Sequence, residues 1–415
     1  MILGKYSIGI GDRFGREGDA LLSAVIAAEK AGVEVTPIWN KSHREHTIIG
    51  TRPEDVREEA DDSVAAMGWG GNYYVDADHI NMGSVDEFIK SSDFFTLDVS
   101  DFIGKGASRE EVDNFIDGCV KYIDGITVPG IEGSLAVNEH TVRAAAEKYL
   151  TAVKQAGKLY RHIGAKKGVG NFITEMSMDE TDEAQTPVEL FFILAAAAQE
   201  EIPIQTIAPK FTGRFNKGVD YAGNVERFAR EFETDLAVIS YAVQEFGLPA
   251  NLKLSVHSGS DKFSIYGAIN RAIKKFGAGL HVKTAGTTWL EELAGLALAG
   301  GENLAIAKRI YSQAFSRIDE LIGPYLTVVD IDRSKLPSPE VINEWTSKKF
   351  DDALRHNESC GRYNPHIRQF LHIGYKVAAE MGPEFIAAVS DCEGIIKPRV
   401  TENIYQKHIR PIFID

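Results

Sequence analysis

The 415-residue sequence lacks the features that mark several large classes of protein. It has only three cysteines and no CxxC pair, which argues against a disulfide framework and favours a reducing cytoplasm. No apolar run approaches the roughly 18 to 20 residues that a membrane-spanning helix needs. The first residues carry no signal-peptide pattern. We therefore expect a cytoplasmic protein with no membrane partner.

Common nucleotide-binding and hydrolase motifs are also missing. The segment 9–11 lacks the third glycine of a GxGxxG turn, and there is no P-loop and no GxSxG elbow. The formal net charge of -15 disfavours nucleic acid and anionic membranes as partners, because both are negatively charged. Homo-oligomerisation is left open. An anionic substrate would have to be met by locally placed lysine or arginine.

Short apolar runs alternate with helical patterns along the first 300 residues, which is typical of parallel α/β folds. Eight such runs predict eight strands. We therefore expect a (β/α)8 TIM-type barrel over residues 1–300, with a doubly wound open sheet as the alternative. The predicted strands are 6–10, 33–39, 72–76, 94–98, 172–178, 203–209, 252–257 and 279–283.

Two stretches fall outside this alternation. Residues 104–168 predict a helical insertion between the fourth and fifth strands, with a capping box formed by Ser108 and Glu111. Residues 301–415 predict a mainly helical C-terminal extension packed on the barrel. Within that extension, 326–331 is a candidate for one further strand.

Most of the predicted strands end in ionisable residues, and the C-terminal ends of barrel strands line the active site in this architecture. Burying such charges is costly unless they are paired or bind a metal, so we expect these ends to form one site. The candidate residues are Arg13, Asp78, His79, Glu175, Asp179, Glu180, Lys210, His257, Ser258, Asp261, Lys262, His281 and Lys283.

Three histidines lie among these carboxylates. His257 and His281 are on adjacent predicted strands, and His79 lies across the barrel mouth. A lone histidine at a strand end is more often a hydrogen-bonded structural residue than a ligand. Three of them beside carboxylates suit a divalent metal such as Zn²⁺, Mn²⁺, Ni²⁺ or Fe²⁺.

The fifth strand and two loops complete the predicted site. Alternation turns Glu175 into the lumen, where desolvation raises a carboxyl pKa towards the acid–base range. The alternative for Glu175 is a structural ion pair with Lys210. The turn 257–262 and the segment 284–288 offer backbone N–H groups to an anion, with Lys262 adding charge, although ordinary turn geometry explains both equally well.

Six of these segments together resemble the tagaturonate epimerases, which interconvert D-tagaturonate and D-fructuronate. The matches run in order from about residue 6 to 290, and Arg368-Gln369 with His372 is a further one. The two longest, around His257 and His281, are the most specific. The segments are GDR at 11–13, DADH at 76–79, DET at 179–181, KGVDY at 217–221, HSGSDKFS at 257–264 and HVKTAGT at 281–287.

The resemblance implies a metal-dependent isomerase that acts on a sugar acid in hexuronate catabolism. It implies that His79, His257 and His281 are the metal ligands. It also implies an acid–base pair drawn from Asp78 and the fifth-strand carboxylates, with Glu175 preferred and Glu180 close behind.

The chemistry of such an epimerisation narrows the mechanism. The inverted carbon, C4, is β to the C2 ketone, so its C–H is not acidified by that carbonyl. Oxidation at C4 would need a nicotinamide cofactor, for which the sequence has no binding motif. We therefore expect retro-aldol cleavage of C3–C4 and re-addition, with Arg13, Lys210 or Lys262 holding the substrate carboxylate.

The sequence is also compatible with two other functions. Another metal-dependent sugar enzyme on the same barrel would be a ketose isomerase, a free-ketose 4-epimerase or a class II aldolase, and product analysis separates these. An inactive sugar-acid-binding protein would keep the anion-holding loops and lose the metal ligands. Every candidate ligand is present, which favours an enzyme.

Overall fold

The computed structural model describes residues 1–284 and 286–415 and shows a closed barrel of eight parallel strands. Neighbouring strands pair in chain order, and the eighth strand closes on the first. The predicted TIM-type barrel is therefore confirmed. Ala285, part of the 281–287 motif, lies outside the described residues. The strands are β1 Tyr6–Ile10, β2 Thr36–Ser42, β3 Tyr74–Ile80, β4 Phe94–Asp98, β5 Ile173–Ser177, β6 Thr206–Ala208, β7 Lys253–Val256 and β8 Leu280–Lys283.

Helices follow the strands and continue to the end of the chain. Short 3₁₀ turns lie at Ser100–Phe102, Val120–Tyr122, Gly323–Tyr325 and Arg333–Lys335, and a π-helix spans Asn403–Ile414. The α-helices are α1 Gly18–Lys30, α2 His43–Ile49, α3 Pro53–Met67, α4 Val85–Phe88, α5 Arg109–Cys119, α6 Glu139–Lys167, α7 Pro187–Gln199, α8 Val225–Phe246, α9 Phe263–Phe276, α10 Thr287–Ala299, α11 Gly301–Ser316, α12 Ile318–Ile322, α13 Pro339–Asn343, α14 Ser347–Leu354, α15 Pro365–Ile373, α16 Tyr375–Met381, α17 Pro383–Asp391 and α18 Glu393–Glu402.

The helix ends follow local sequence signals. The Asn224 side chain accepts a hydrogen bond from the backbone N–H of Arg227 at the start of α8, and Gly247 ends that helix with φ 66°. The predicted capping box of Ser108 and Glu111 is present at the start of α5. These signals set where each barrel helix begins, and so where each strand-to-helix loop can lie.

The barrel has an apolar outside and a lumen that changes character along its axis. Large aliphatic side chains from the strands and helices form one continuous core between them. A small apolar cluster fills the lower lumen, formed by Leu3, Ile38, Tyr74, Phe94 and Ile173. Above this cluster the lumen residues are polar. The apolar cluster closes the lower end of the barrel, so chemistry is confined to the C-terminal ends of the strands.

Strand limits differ from the prediction at β2 and β3. These strands were predicted at 33–39 and 72–76, but they lie at 36–42 and 74–80. Apolar runs mark the part of a strand that faces the helices, whereas backbone pairing continues into the polar segment at the barrel mouth. Asp78 and His79 are therefore inside β3 and not beyond its end.

The C-terminal helices lie against the barrel. The helix α18 and the π-helix contact α1, and both α14 and α18 contact α10. The division into a barrel over 1–300 and an extension over 301–415 stays a prediction. The expectation of a strand at 326–331 was wrong, because Val328 there accepts from the backbone N–H of Lys217 and the N–H of Asp330 donates to Gln369. No helix among the described residues is long and apolar enough to cross a membrane.

Candidate active site

Lys283 is the centre of the buried charge at the top of the lumen. Its Nζ lies 2.8 Å from Asp76 Oδ2, 2.7 Å from Asp78 Oδ1 and 2.9 Å from Glu175 Oε1. The lysine passes close to β1, where a Cβ on Gly9 would lie 3.2 Å from Lys283 Cα, so glycine leaves the room that the side chain needs. Glu175 pairs here with Lys283, and the predicted alternative of a Lys210 pair is not what the structure shows.

One ammonium group facing three carboxyl groups separates their pKa values. Burial, together with the charges of Asp78 and Glu175, raises the pKa of Asp76 to about 7. Burial acts on Asp78 too, but the charges of Lys283, His79 and His257 outweigh it and lower its pKa to about 2. Burial of Glu175 is likewise outweighed, chiefly by Lys283, and its pKa lies well below the usual range. Asp76 is therefore the member that can hold or release a proton near neutral pH.

A second group of side chains lies beside the first, on β3 and just after the ends of β5 and β7. His79, Asp179 and His257 each place a ligand atom within 4.8 Å of the others. His257 Nδ1 lies 3.0 Å from Asp179 Oδ1, and its Nε2 lies 2.7 Å from Glu175 Oε1. Two imidazoles and a carboxylate are a donor set that binds divalent metals. His257 therefore connects a candidate metal group with the carboxyl group around Lys283.

His79 reaches this group because β3 bends. Strict alternation would turn His79 to the face opposite Asp78. The pairing of β3 with β4 shifts register between Ala77 and Ile80, and His79 has φ 52°, so a bulge turns its side chain to the mouth. His79 Nδ1 lies 3.1 Å from Asp98 Oδ2, which orients the ring and leaves the other nitrogen for a ligand.

His281 lies in the lumen but outside this group. It is two residues below Lys283 on the same face of β8 and fully buried. Its Nδ1 lies 3.0 Å from Ser7 Oγ, and its ring centroid lies 5.5 Å from that of Phe94. Burial lowers its pKa to about 3. The structure does not bring the three predicted histidines together, and Asp179, another of the candidate residues, lies with His79 and His257 instead.

The three cations predicted to hold the substrate carboxylate are engaged within the protein. Lys210 donates to a backbone carbonyl, and the ammonium of Lys262 donates to three. Arg13 pairs with Glu45 at 3.1 Å and donates to the carbonyl oxygen of His372 at 3.0 Å. Buried cations need such acceptors. Lys262 holds neighbouring backbone in this structure, and its role in binding the substrate stays a prediction.

Three further predicted residues have different surroundings. Asp261 is fully buried, and its Oδ2 lies 3.1 Å from Arg368 Nη2, so it joins the turn after β7 to α15. Ser258 Oγ accepts a hydrogen bond from Lys217 Nζ at 3.0 Å. Glu180 is exposed, and its side chain makes no hydrogen bond with the described residues. Of the three candidate carboxylates on β5 or just after it, Glu175 and Asp179 lie in the site and Glu180 does not.

The predicted anion cradle at 257–262 is occupied by internal hydrogen bonds. The backbone N–H of Gly259 donates to the carbonyl of Lys283. The N–H groups of Asp261 and Lys262 donate to His408 Nε2 at 2.9 Å and to Tyr266 Oη at 3.1 Å. The turn serves to connect β7 with its neighbours, which is the ordinary turn geometry that the sequence left open.

Two site residues were absent from the predicted set. Asp76 contacts Lys283 directly, and Asp98 orients His79. Both carried a usable signal, because Asp76 shares the lumen-facing parity of Asp78 and Asp98 ends a predicted strand. Nothing in the local pattern distinguishes a carboxylate that orients a ligand from one that is solvated.

Comparison with known proteins identifies the family. A family model described as tagaturonate epimerase matches residues 2–381. The chain belongs to the tagaturonate epimerase family. A curated relative, the tagaturonate/fructuronate epimerase of Thermotoga maritima, is 28% identical over 383 residues, which are 89% of this chain and 73% of that protein. As a member of this family the chain is an epimerase, an enzyme of the isomerase class.

Solved structures show the same fold. The native fructuronate-tagaturonate epimerase of Cohnella laeviribosi matches with a TM-score of 0.80 at 24% identity, covering 99% of this chain and 82% of that one. A one-glycerol complex of the same enzyme matches with a TM-score of 0.81 at 24% identity, with the same coverage. The barrel and its C-terminal helices are thus those of a tagaturonate epimerase.

Proposed function

We propose that this epimerase interconverts D-tagaturonate and D-fructuronate by inverting C4. Membership of the tagaturonate epimerase family supports this substrate pair. The observation that carries the proposal is the contact between the two halves of the site. His257 bonds Glu175, so a candidate metal group and a buried group of proton-exchanging carboxyls share one pocket at the barrel mouth.

The donor set fits a divalent cation. His79, Asp179 and His257 would hold it, and the carboxylate of Asp98 would orient His79. Three protein ligands leave positions for substrate oxygens, and Zn²⁺, Mn²⁺, Ni²⁺ and Fe²⁺ all accept this set. When bound, such a cation polarises a ketone oxygen and stabilises the negative charge that develops on it.

Retro-aldol cleavage accounts for inversion at a carbon β to the ketone. A base removes the C4 hydroxyl proton, C4 becomes an aldehyde as C3–C4 breaks, and the electron pair passes into the C2–C3 enediolate. Rotation of the aldehyde presents its other face, C3–C4 forms again, and the new C4 alkoxide takes the proton back. No atom and no electron is gained or lost.

The carboxyl group around Lys283 is suited to this proton exchange. Asp78 and Glu175 are ionised at neutral pH, and Glu175 Oε2 is buried without a hydrogen-bond partner among the described residues. We infer that one of these two is the base that takes the C4 proton. Asp76, with its pKa near 7, can share that proton through Lys283.

The thiols support the proposed cytoplasmic location. Cys119, Cys360 and Cys392 are all free in the structure. Free cysteines, two of them buried, are usual in a reducing compartment.

NMR of the products from D-tagaturonate tests the function. We expect D-fructuronate to accumulate with the carbonyl still at C2, and activity to disappear on exhaustive chelation and return with added metal. A ketose isomerase would move the carbonyl, and an aldolase would release three-carbon fragments. Full activity after chelation would overturn the metal assignment while leaving the epimerase assignment in place.

A further inference from the structure

Lys217 lies beside the candidate metal group. It belongs to the loop between β6 and α8, and its Nζ donates to Ser258 Oγ at 3.0 Å. Ser258 directly follows His257 and has φ 49°, so the chain turns sharply after the histidine. The hydrogen bond therefore places the ammonium of Lys217 one residue away from a predicted metal ligand.

The loop that carries Lys217 is fixed from beneath by Lys262. The buried ammonium of Lys262 donates to the carbonyl oxygen of Asn216 at 2.9 Å and to that of Val219 at 2.7 Å. These two carbonyls flank Lys217 in the chain. The ammonium of Lys262 therefore stabilises the backbone of this loop, and its hydrogen-bond donors are directed at backbone carbonyls.

Helix α15 fixes the same loop from the other side. Arg368 donates from Nε to the carbonyl oxygen of Gly218, and its Nη2 pairs with Asp261. The backbone N–H of Lys217 donates to the carbonyl oxygen of Val328 at 2.8 Å. The backbone of the loop is thus held in one conformation, and a side chain on such a backbone is pre-organised for binding.

The charge of Lys217 differs from that of its neighbours. Arg368 is paired with Asp261, Arg13 with Glu45, and Lys283 with three carboxyls. Lys217 forms no ion pair with any described residue. Lys217 is therefore a cation at the barrel mouth without a carboxylate partner among the described residues, and an anionic group of a ligand would neutralise it.

His372 on α15 adds an uncharged polar group to the same corner. Its ring is buried, and neither nitrogen has a hydrogen-bond partner among the described residues. Burial, with the charges of Arg13, Lys217 and Arg368, holds the pKa of His372 well below its usual range. A neutral imidazole offers one N–H donor, which suits an oxygen of an anion bound by Lys217.

We propose that Lys217 binds the carboxylate of the sugar acid and is the residue that selects a hexuronate over a neutral ketose. This inference rests on the proposed function, since it assigns the carboxylate of that substrate. It is preferred to three other cations in that role. Arg13 is paired with Glu45, Lys262 donates to three backbone carbonyls, and Lys210 donates to the carbonyl of Thr181 and not to a residue beside the candidate metal group.

The test compares Lys217→Met with Lys217→Arg on two substrates, D-tagaturonate and the neutral ketose D-tagatose. Loss of one charge-assisted hydrogen bond predicts a KM for tagaturonate about 10- to 100-fold higher in Lys217→Met. Lys217→Arg keeps the charge and recovers most of that loss. KM for tagatose, or its inhibition constant if turnover is too slow, stays unchanged, and so does the bound metal. Lys30→Met, at the exposed end of α1, is the matched control.

Three results would contradict the inference. An unchanged KM for tagaturonate in Lys217→Met would show that the carboxylate binds elsewhere. An equal rise for both sugars would show that Lys217 only supports the loop. If wild-type protein does not convert tagaturonate at all, the proposed function fails first and this assignment falls with it.

Discussion

His257 and His281 show how much a histidine depends on its immediate partners. Both are buried, and both face the lumen on neighbouring strands. His257 lies between the carboxylates of Glu175 and Asp179, whereas the one hydrogen-bond partner of His281 among the described residues is the hydroxyl of Ser7. Two carboxylates beside a ring favour binding of a cation, whereas His281 packs against Phe94 and bonds a hydroxyl, which favours a structural role.

Metal analysis of single variants separates these roles. His79→Ala and His257→Ala are expected to contain less bound metal than the parent, because each removes a proposed ligand. Asp98→Asn is expected to bind metal about 10- to 100-fold more weakly, since it removes the group that orients His79. His281→Ala is expected to keep wild-type metal content. Mass spectrometry of the purified variants measures this, and loss of metal in His281→Ala would return that residue to the ligand set.

At the scale of elements, the turn between β8 and α10 is where the barrel meets the C-terminal helices. Gly286 opens α10 with φ 92°, and a Cβ there would overlap His372 Nε2 and lie 3.0 Å from Arg13 Nη2. The indole N–H of Trp289 donates to the carbonyl of Leu371 at 2.7 Å. Because α10 and α15 are in such close contact, any side chain at Gly286 would push α15 away from the barrel mouth.

Gly286→Ala and Gly277→Ala together measure that contact. Gly277 ends α9 with φ 60°, and no described atom lies within 4 Å of a Cβ placed there. Gly277→Ala should cost about 1–2 kcal/mol of unfolding free energy, from backbone strain alone. Gly286→Ala should cost about 1–3 kcal/mol more, because it also overpacks His372, and it should lower activity. Urea unfolding measures both, and equal costs would contradict the contact.

The sequence predicts some features of these elements well because they are local. Strand positions follow from apolar runs, and Glu175 and Asp179 share a face because β residues alternate. The bulge that turns His79 towards the mouth does not follow from pattern, since it depends on the register with β4. His79 was predicted for its residue type, and the geometry that makes it useful is tertiary.

At the scale of the whole molecule, the least predictable contacts join distant parts of the chain. Arg368 on α15 binds both Asp261 and the carbonyl of Gly218, and Val328 binds the N–H of Lys217. More than a hundred residues separate each pair, and neither periodicity nor composition encodes such pairings. The loop that presents Lys217 is therefore a product of the complete fold.

A cluster of buried carboxyl groups also joins distant parts of the chain. It lies between α1, α3 and α10. Asp12 accepts hydrogen bonds from four backbone N–H groups, those of residues 14–17. Glu17 and Glu292 are completely buried, and their carboxyl oxygens have no hydrogen-bond partner among the described residues. Half-buried Glu59 lies beside Asp12 as well. Carboxylates in this setting favour the protonated form.

This cluster predicts that stability falls as the pH rises. Burial, followed by the charge of Asp12, raises the pKa of Glu17 from 4.5 to about 8, and burial raises that of Glu292 well above its usual range. The folded state then binds protons more tightly than the unfolded chain. The stabilising contribution of Glu17 is complete below pH 4.5 and is lost as the pH rises through about 8.

Glu17→Gln isolates this effect, because an amide cannot ionise. Compared with the parent, we expect it to be little changed at pH 5 and more stable at pH 8.5 by a few kcal/mol, since one pKa unit corresponds to about 1.4 kcal/mol. Urea unfolding of both proteins at the two pH values measures the difference. Glu110→Gln, on the exposed surface of α5, is the control and should be neutral at both. A Glu17→Gln variant that differs from the parent equally at pH 5 and pH 8.5 would show that Glu17 does not titrate between them, and that its carboxyl is ionised or paired throughout.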